Sequence, residues 1–120
     1  MEPKVRPSFT GTAADFISRS WFQHDSDRLL QQSREVGGDP WFYRFTFAPK
    51  ESPFKASHTM EMPFLLGNWE AWKGAPMMRG RDSKSTVEMV GPHVKRLWAT
   101  FARGEDIGRN SFIIDENFVV

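Results

Sequence analysis

The sequence predicts an α/β fold, because two stretches with helical periodicity flank one strand-forming segment and a short apolar tail follows them. Apolar residues recur mostly at helical spacing over residues 13–36 and again over residues 86–103. Between these stretches, residues 41–47 are almost all aromatic or β-branched, which suits a pleated surface. At 120 residues the chain has room for one hydrophobic core and one domain.

The first element is a helix predicted over residues 13–36. Residues 1–12, which precede it, contain two prolines and a glycine and are predicted to be a lead-in. Gly37 and Pro40 end the helix, because glycine relieves the C-terminal cap and proline cannot continue a helix. The apolar positions of the helix are Ala13, Phe16, Ile17, Trp21, Leu29 and Leu30.

The strand predicted at residues 41–47 carries aromatic or amphipathic groups on both faces. Successive side chains of a strand point to opposite faces of the sheet. A strand with two such faces is typical of the interior of a sheet, so we expect a neighbouring strand on each side. One face holds Trp41, Tyr43, Phe45 and Phe47, and the other holds Phe42, Arg44 and Thr46.

Residues 48–84 are predicted to be mostly irregular. Residues 48–57 form a polar loop with two prolines, and residues 62–66 are a short apolar segment. Residues 68–84 contain two glycines, a proline and charges of both signs, which is typical of a surface excursion.

The last part of the chain is predicted to hold a second helix and a β-structured tail. The helix spans residues 86–103, and Pro92 either kinks it or marks its true first turn. The tail at residues 111–120 has two apolar triplets separated by polar residues, which predicts a hairpin or a pair of short strands.

Composition and charge exclude several classes of function. Sixteen basic and fifteen acidic residues give a net charge of +1, so no nucleic acid or other polyanion partner is predicted. The chain has no cysteine, which excludes disulfides and thiolate metal sites, and its three histidines lack metal-ligand spacing. Residues 1–9 have no apolar signal region and no apolar run is long enough for a membrane helix. We therefore expect a cytoplasmic protein with no membrane partner.

Aromatic residues are unusually abundant, with eleven Phe, five Trp and one Tyr. Such side chains dominate cores and interfaces, so the chain is either tightly packed or built to pack against something else, and we favour the second. The aromatic strand could also stack single-stranded nucleic acid, but it carries only one basic residue, Arg44. Core packing is therefore the favoured interpretation.

The segment Ala56–Gly67, with sequence ASHTMEMPFLLG, is the most informative motif in the chain. A lone His58 is followed by Glu61, by Pro63-Phe64 and by a closing glycine. This pattern resembles the histidine segment of the type B carboxylesterases, the cholinesterase-like and para-nitrobenzyl esterase branch of the α/β-hydrolases. Thr59 departs from the pattern, because a glycine commonly follows the histidine there.

The resemblance continues on both sides of this motif and spans residues 13–120. Tyr43-Arg44-Phe45 is similar to the triplet that ends the last major strand in the family. Residues 98–103 are similar to the family's Trp-x-x-Phe-Ala-Arg helix end, and Glu105 interrupts the Gly-Asp pair that follows it. Ile113-Ile114-Asp115 and Val119-Val120 are similar to the family's terminal segment.

The resemblance implies a fold and a set of roles. It implies that residues 13–120 are the C-terminal part of an α/β-hydrolase sheet, that no cofactor is needed and that the complete enzyme hydrolyses a small carboxylic ester. His58 would be the general base and acid of a Ser-His-acid triad. Glu61 would support the histidine loop. Trp69 and Trp72 would either pack locally or form a wall of the substrate pocket.

The remaining catalytic parts are missing from the sequence. No Gly-x-Ser-x-Gly elbow is present, and Gly37-Gly38 is better explained as a helix stop than as an oxyanion segment. Ser57 is adjacent to His58, but neighbours on an extended loop point apart. We therefore expect this chain to be inactive by itself. Two alternatives remain, namely one half of a split esterase completed by an upstream hydrolase fragment, or a non-catalytic binding domain.

Overall fold

The computed structural model describes residues 9–120, with side chains from residue 13 onward, so most of the predicted lead-in lies outside the described residues. The chain divides into two compact units, Met1–Pro40 and Trp41–Val120. Among the described residues, no helix is both long and apolar enough to cross a lipid bilayer.

The first unit contains a continuous helical run that confirms the first predicted helix. It consists of α1 (Phe9–Ile17), a π-helical segment (Ser18–Gln23) and α2 (His24–Glu35). The run begins at Phe9, inside the stretch predicted as a lead-in.

A side-chain hydrogen bond lies within the π-helical segment, and two glycines end α2. The Ser20 hydroxyl donates to the carbonyl oxygen of Phe16 at 2.7 Å, a bond to the preceding turn that often bends helices. After α2, Gly37 has a φ of +81°, which only glycine adopts without strain. The Gly38 N–H then donates to the Ser33 carbonyl at 2.8 Å and closes the helix end, as the sequence predicts.

The second unit is built on two parallel strands. Strand β1 (Phe42–Phe45) pairs with β2 (Ser111–Ile114), so that Tyr43 lies opposite Phe112. The predicted strand is therefore confirmed, although it is shorter than expected. Its predicted interior position is not observed, because within the described residues β2 is its one neighbouring strand.

The tail differs from its predicted hairpin or strand pair. Only its first apolar triplet lies in a strand, and Asp115 then turns the chain by accepting a bond from the Asn117 N–H at 2.9 Å. The following residues lie against the last helix, where the Arg96 guanidinium donates to the Val120 carbonyl at 3.0 Å. Phe118 is only 6% exposed, so packing against the core takes the place of a second strand pairing.

Three helices lie between the two strands. These are α3 (Met62–Leu66), α4 (Trp69–Trp72) and α5 (Ser83–Ala102), and a short 3-10 turn spans Pro76–Met78. The excursion predicted at residues 68–84 is thus partly helical. Helix α5 begins before the predicted residue 86 and contains Pro92 in its interior, which settles the position of this proline.

The core of the second unit lies between one face of the sheet and helices α3 and α5. Gly91 on α5 is buried against α3, and a side-chain carbon at this position would stand 3.1 Å from the carbonyl oxygen of Phe64. The buried apolar side chains are Phe47, Met60, Phe64, Met78, Val87, Val90, Val94, Leu97, Phe112, Ile114 and Phe118.

Candidate functional site

The histidine loop, residues 55–61, connects the end of the β1 region to α3. Met60 is completely buried and anchors the loop in the core. Successive turns shape its backbone, since the Met60 N–H donates to the Ser57 carbonyl at 3.2 Å and the Met62 N–H donates to the Thr59 carbonyl at 3.1 Å. The loop is therefore a compact turn that is held in the core by one buried side chain, that of Met60.

His58 lies at the surface of this loop. Its side chain is exposed, and its carbonyl oxygen accepts a hydrogen bond from the Thr59 hydroxyl at 2.5 Å. Its position two residues before the buried Met60 fixes the backbone from which the imidazole projects. An exposed imidazole can exchange protons with groups that approach from outside the unit.

The described non-glycine residues with a positive φ lie in the histidine loop or shortly after it. In the described part of the chain, the non-glycine residues with positive φ are Lys55 at +53°, Thr59 at +70° and Asn68 at +58°. A β-branched residue is especially unfavourable in this region, whereas glycine is not. Glycine would adopt the backbone conformation of Thr59 without this strain. Strain of this kind is common at functional sites.

Glu61 connects the loop to both α3 and β1. Its carbonyl oxygen accepts hydrogen bonds from the N–H groups of Phe64 and Leu65, at 3.0 and 2.9 Å, and so begins α3. The pKa of Tyr43 on β1 is raised, first by burial of its hydroxyl and then by the negative charge of Glu61. The Glu61 carboxylate thus acts on β1 electrostatically, and its role as support of the histidine loop stays a prediction.

Helix α3 holds the loop against the sheet through Phe64. This ring is completely buried and packs edge-on against Phe45 and Phe47, with centroids 5.0 and 5.4 Å away. Gly67 ends the helix with a φ of +74°. The pattern Pro-Phe-x-x-Gly therefore has a structural reason here, because Phe64 fills the core and Gly67 permits the turn.

Trp69 and Trp72 lie on α4, directly after this turn. Both are half-buried and pack against the hydrophobic core. Their assignment as a pocket wall in a larger enzyme stays a prediction.

A cavity that the sequence did not indicate lies between the sheet and the C-terminal half of α5. We call it the aromatic cavity, and its volume is about 140 Å³. Sequence periodicity predicts the helix stripe and the strand face that contribute to it, but it does not predict that β1 and β2 pair beside them. The lining residues are Trp41, Phe42, Tyr43, Leu97, Trp98, Phe101 and Phe112.

Charged residues near the end of α5 form an exposed pair. The Arg103 guanidinium donates two hydrogen bonds to the Glu105 carboxylate, at 2.5 and 3.0 Å. This contact lowers the pKa of Glu105. Glu105 thus has a local partner in Arg103. In the described part of the chain, no three His, Cys, Asp or Glu side chains are grouped so that they could hold a metal ion.

Comparison with known proteins finds two hydrolases. The chain is 25% identical over 99 residues to a probable N-octanoylanthranilate hydrolase of Rhodococcus erythropolis, a match that covers 82% of this chain and 22% of that protein. It is 34% identical over 64 residues to the para-nitrobenzyl esterase of Bacillus subtilis, covering 52% of this chain and 12% of that protein. No protein-family profile matches the chain, and no solved structure matches it.

The matches cover only a small part of each relative. The chain spans only about a fifth of the first relative and about an eighth of the second. They support a hydrolase-like origin, and the helices and small parallel sheet are compatible with a fragment of an α/β fold.

Proposed function

We propose that this chain is the C-terminal part of a type B carboxylesterase and that His58 is its triad histidine. The observation that carries this proposal is the exposed His58 on a strained, core-anchored loop between a parallel strand and α3, within a chain similar to two hydrolases. The substrate class we assign to the complete enzyme is a carboxylic ester.

The sheet supports this proposal because one of its faces is not covered. The face with Tyr43, Phe45, Phe112 and Ile114 packs against the core, whereas Ile113 on the other face is 64% exposed. Parallel sheets normally have both faces covered by other elements. A two-stranded parallel sheet with an open face is therefore better suited to be part of a larger sheet than to stand alone.

The chemistry assigned to His58 follows from the acid–base properties of imidazole. In acylation His58 takes the proton of a serine hydroxyl as that oxygen attacks the ester carbonyl, and then gives the proton to the leaving alcohol. In deacylation it takes a proton from water, which attacks the acyl-serine, and returns it to the serine oxygen. The serine, the triad carboxylate and the oxyanion-binding N–H groups come from outside this chain.

A chimera tests this proposal directly. The matching C-terminal segment of the Bacillus subtilis para-nitrobenzyl esterase is replaced by this chain, and hydrolysis of a p-nitrophenyl ester is measured. We expect activity that falls by about three orders of magnitude or more in the His58→Ala chimera, as losses of triad members do. His24→Ala is the matched control, because His24 is an exposed histidine on α2. A folded, active chimera that is indifferent to His58→Ala would contradict the proposal.

A split esterase is the second candidate, and the outer edge of β1 favours it. Within the described residues this edge has no neighbouring strand, and such edges accept a strand from another chain. Co-expression with the upstream part of the same esterase, as a separate chain, tests this candidate by copurification and ester hydrolysis. A non-catalytic binding domain would give no activity in either experiment.

A further inference from the structure

We propose that the aromatic cavity is a binding site for a small, flat, uncharged aromatic molecule of single-ring size. This inference is independent of the esterase proposal, because it uses neither His58 nor any partner. It rests on the volume, the walls and the ring geometry of the cavity.

The volume of the cavity matches one aromatic ring. It holds about 140 Å³, and its walls are almost entirely apolar. An apolar space of about 150 Å³ is large enough for benzene, as an engineered cavity in another protein shows. A single aromatic ring therefore fits the volume of this cavity.

The cavity has a firm floor and an accessible rim. Leu97 and Phe112 are only 3% and 4% exposed and form the floor. Trp98 and Phe101 are 45% and 55% exposed and form the rim. A ligand can therefore reach the floor without local unfolding of α5 or of the sheet.

The lining rings are inclined to one another rather than stacked. Trp41 meets Phe101 at 5.4 Å and 60°, and meets Phe112 at 5.6 Å and 41°. Aromatic pairs prefer edge-to-face or offset contacts over face-to-face sandwiches. Inclined walls present both ring edges and ring faces, so a flat guest ring can make favourable contacts with several walls at once.

The walls of the cavity are almost entirely apolar, which selects against charged ligands. Arg109, whose guanidinium lies over the Phe112 ring at 5.0 Å, is not a lining residue and donates to the Val119 carbonyl. A charged ligand would lose its hydration at the floor without gaining a partner.

The test is ¹⁹F NMR titration of fluorobenzene into the intact chain. We expect saturable binding that is about tenfold weaker in Phe101→Ala, which removes one wall. The phenyl ring of Phe101 is largely exposed, so this variant is expected to keep its fold, which circular dichroism verifies. Phe54→Ala is the matched control, since Phe54 is 54% exposed and does not line the cavity.

Fluorocyclohexane separates aromatic recognition from filling of an apolar space, and we expect it to bind several-fold more weakly than fluorobenzene. The proposal is overturned if fluorobenzene does not bind the folded chain, if Phe101→Ala binds it unchanged, or if both ring compounds bind equally. It is also overturned if the apparent Kd rises with protein concentration, because a second copy of the chain would then occupy the cavity.

Discussion

Gly91 on α5 lies against the carbonyl oxygen of Phe64 on α3, with 3.1 Å between that oxygen and the place where a side-chain carbon would stand. This close approach joins the helix that follows the histidine loop to the longest helix of the second unit. Because the opposing atom belongs to the backbone, it cannot move aside as the end of a flexible side chain would. The spacing of α3 and α5 therefore depends on the absence of a side chain at one position.

Replacing Gly91 with valine is expected to destabilise the fold. The larger side chain must push α3 away from α5, and overpacking of this kind costs about 1–3 kcal/mol. Thermal unfolding should show a clear fall in Tm. Gly74→Ala is the control, because an added carbon there meets no atom within 4 Å. Equal Tm values for Gly91→Val and the unmodified chain would contradict the close packing.

Replacing Thr59 with glycine is expected to stabilise the histidine loop. The left-handed conformation costs a non-glycine residue about 1–2 kcal/mol, which exceeds the roughly 0.5–1 kcal/mol entropic cost of glycine. The net gain should be a few tenths to about 1 kcal/mol in denaturant unfolding. Thr46→Gly serves for comparison, because Thr46 is also exposed but does not have a positive φ, and it should lose stability instead. A loss in both variants would show that Thr59 is not strained.

Shortening Met60 to alanine is expected to release the histidine loop from the core. Met60 is completely buried, and removing such a side chain costs about 2–5 kcal/mol. Met89→Ala is the matched control, because Met89 is 65% exposed and its loss should change stability little. Hydrogen exchange should then show faster opening at residues 57–62 in Met60→Ala only. Similar exchange in the two variants would contradict the anchoring role.

Alkaline pH is expected to destabilise the chain through Tyr43. Burial of its hydroxyl, assisted by the charge of Glu61, raises the pKa of Tyr43 above the ordinary tyrosine value of about 10. The folded state therefore resists ionisation while the unfolded state ionises near pH 10. The contribution of the neutral Tyr43 hydroxyl to folding stability is fully present below pH 10. It is lost as the pH rises through the raised pKa that Tyr43 has in the folded chain.

Tyr43 is the only tyrosine in the sequence, so tyrosinate absorbance reports its titration alone. Glu61→Gln should lower its pKa while leaving it above the usual value, because burial is the larger cause. The stability of Tyr43→Phe should fall less above pH 10, because the part of the fall that comes from ionisation of Tyr43 is removed. A titration of Tyr43 at its ordinary pKa in the folded chain would contradict both its burial and its proximity to Glu61.

The sequence predicted the elements better than their arrangement. Periodicity located both long helices and the strand, because these signals are local. It did not locate the partner of β1, because the pairing of residues 42–45 with residues 111–114 depends on packing between distant segments. The hairpin predicted for the tail is absent because Phe118 is buried in the core and α5 binds Val120.

In the candidate site, too, local features were predicted better than contacts between distant segments. The motif around His58 predicted the histidine loop, the glycine that closes the segment and the departure from the pattern at Thr59, because each is a feature of neighbouring residues. The aromatic cavity was missed because its lining comes from three elements whose contacts exist only after folding. The short helices α3 and α4 were missed as helices because four or five residues carry too little periodicity to detect.

The parallel pairing of β1 and β2 has a consequence for the way the chain is synthesised. Because residues 46–110 separate the two strands, β1 emerges from the ribosome well before the segment it pairs with. Until Ser111–Ile114 has emerged, the aromatic strand has no partner strand among the described residues. Such long-range contacts slow folding and prolong the exposure of apolar surface. The yield of soluble protein should therefore depend on chaperone supply and on growth temperature.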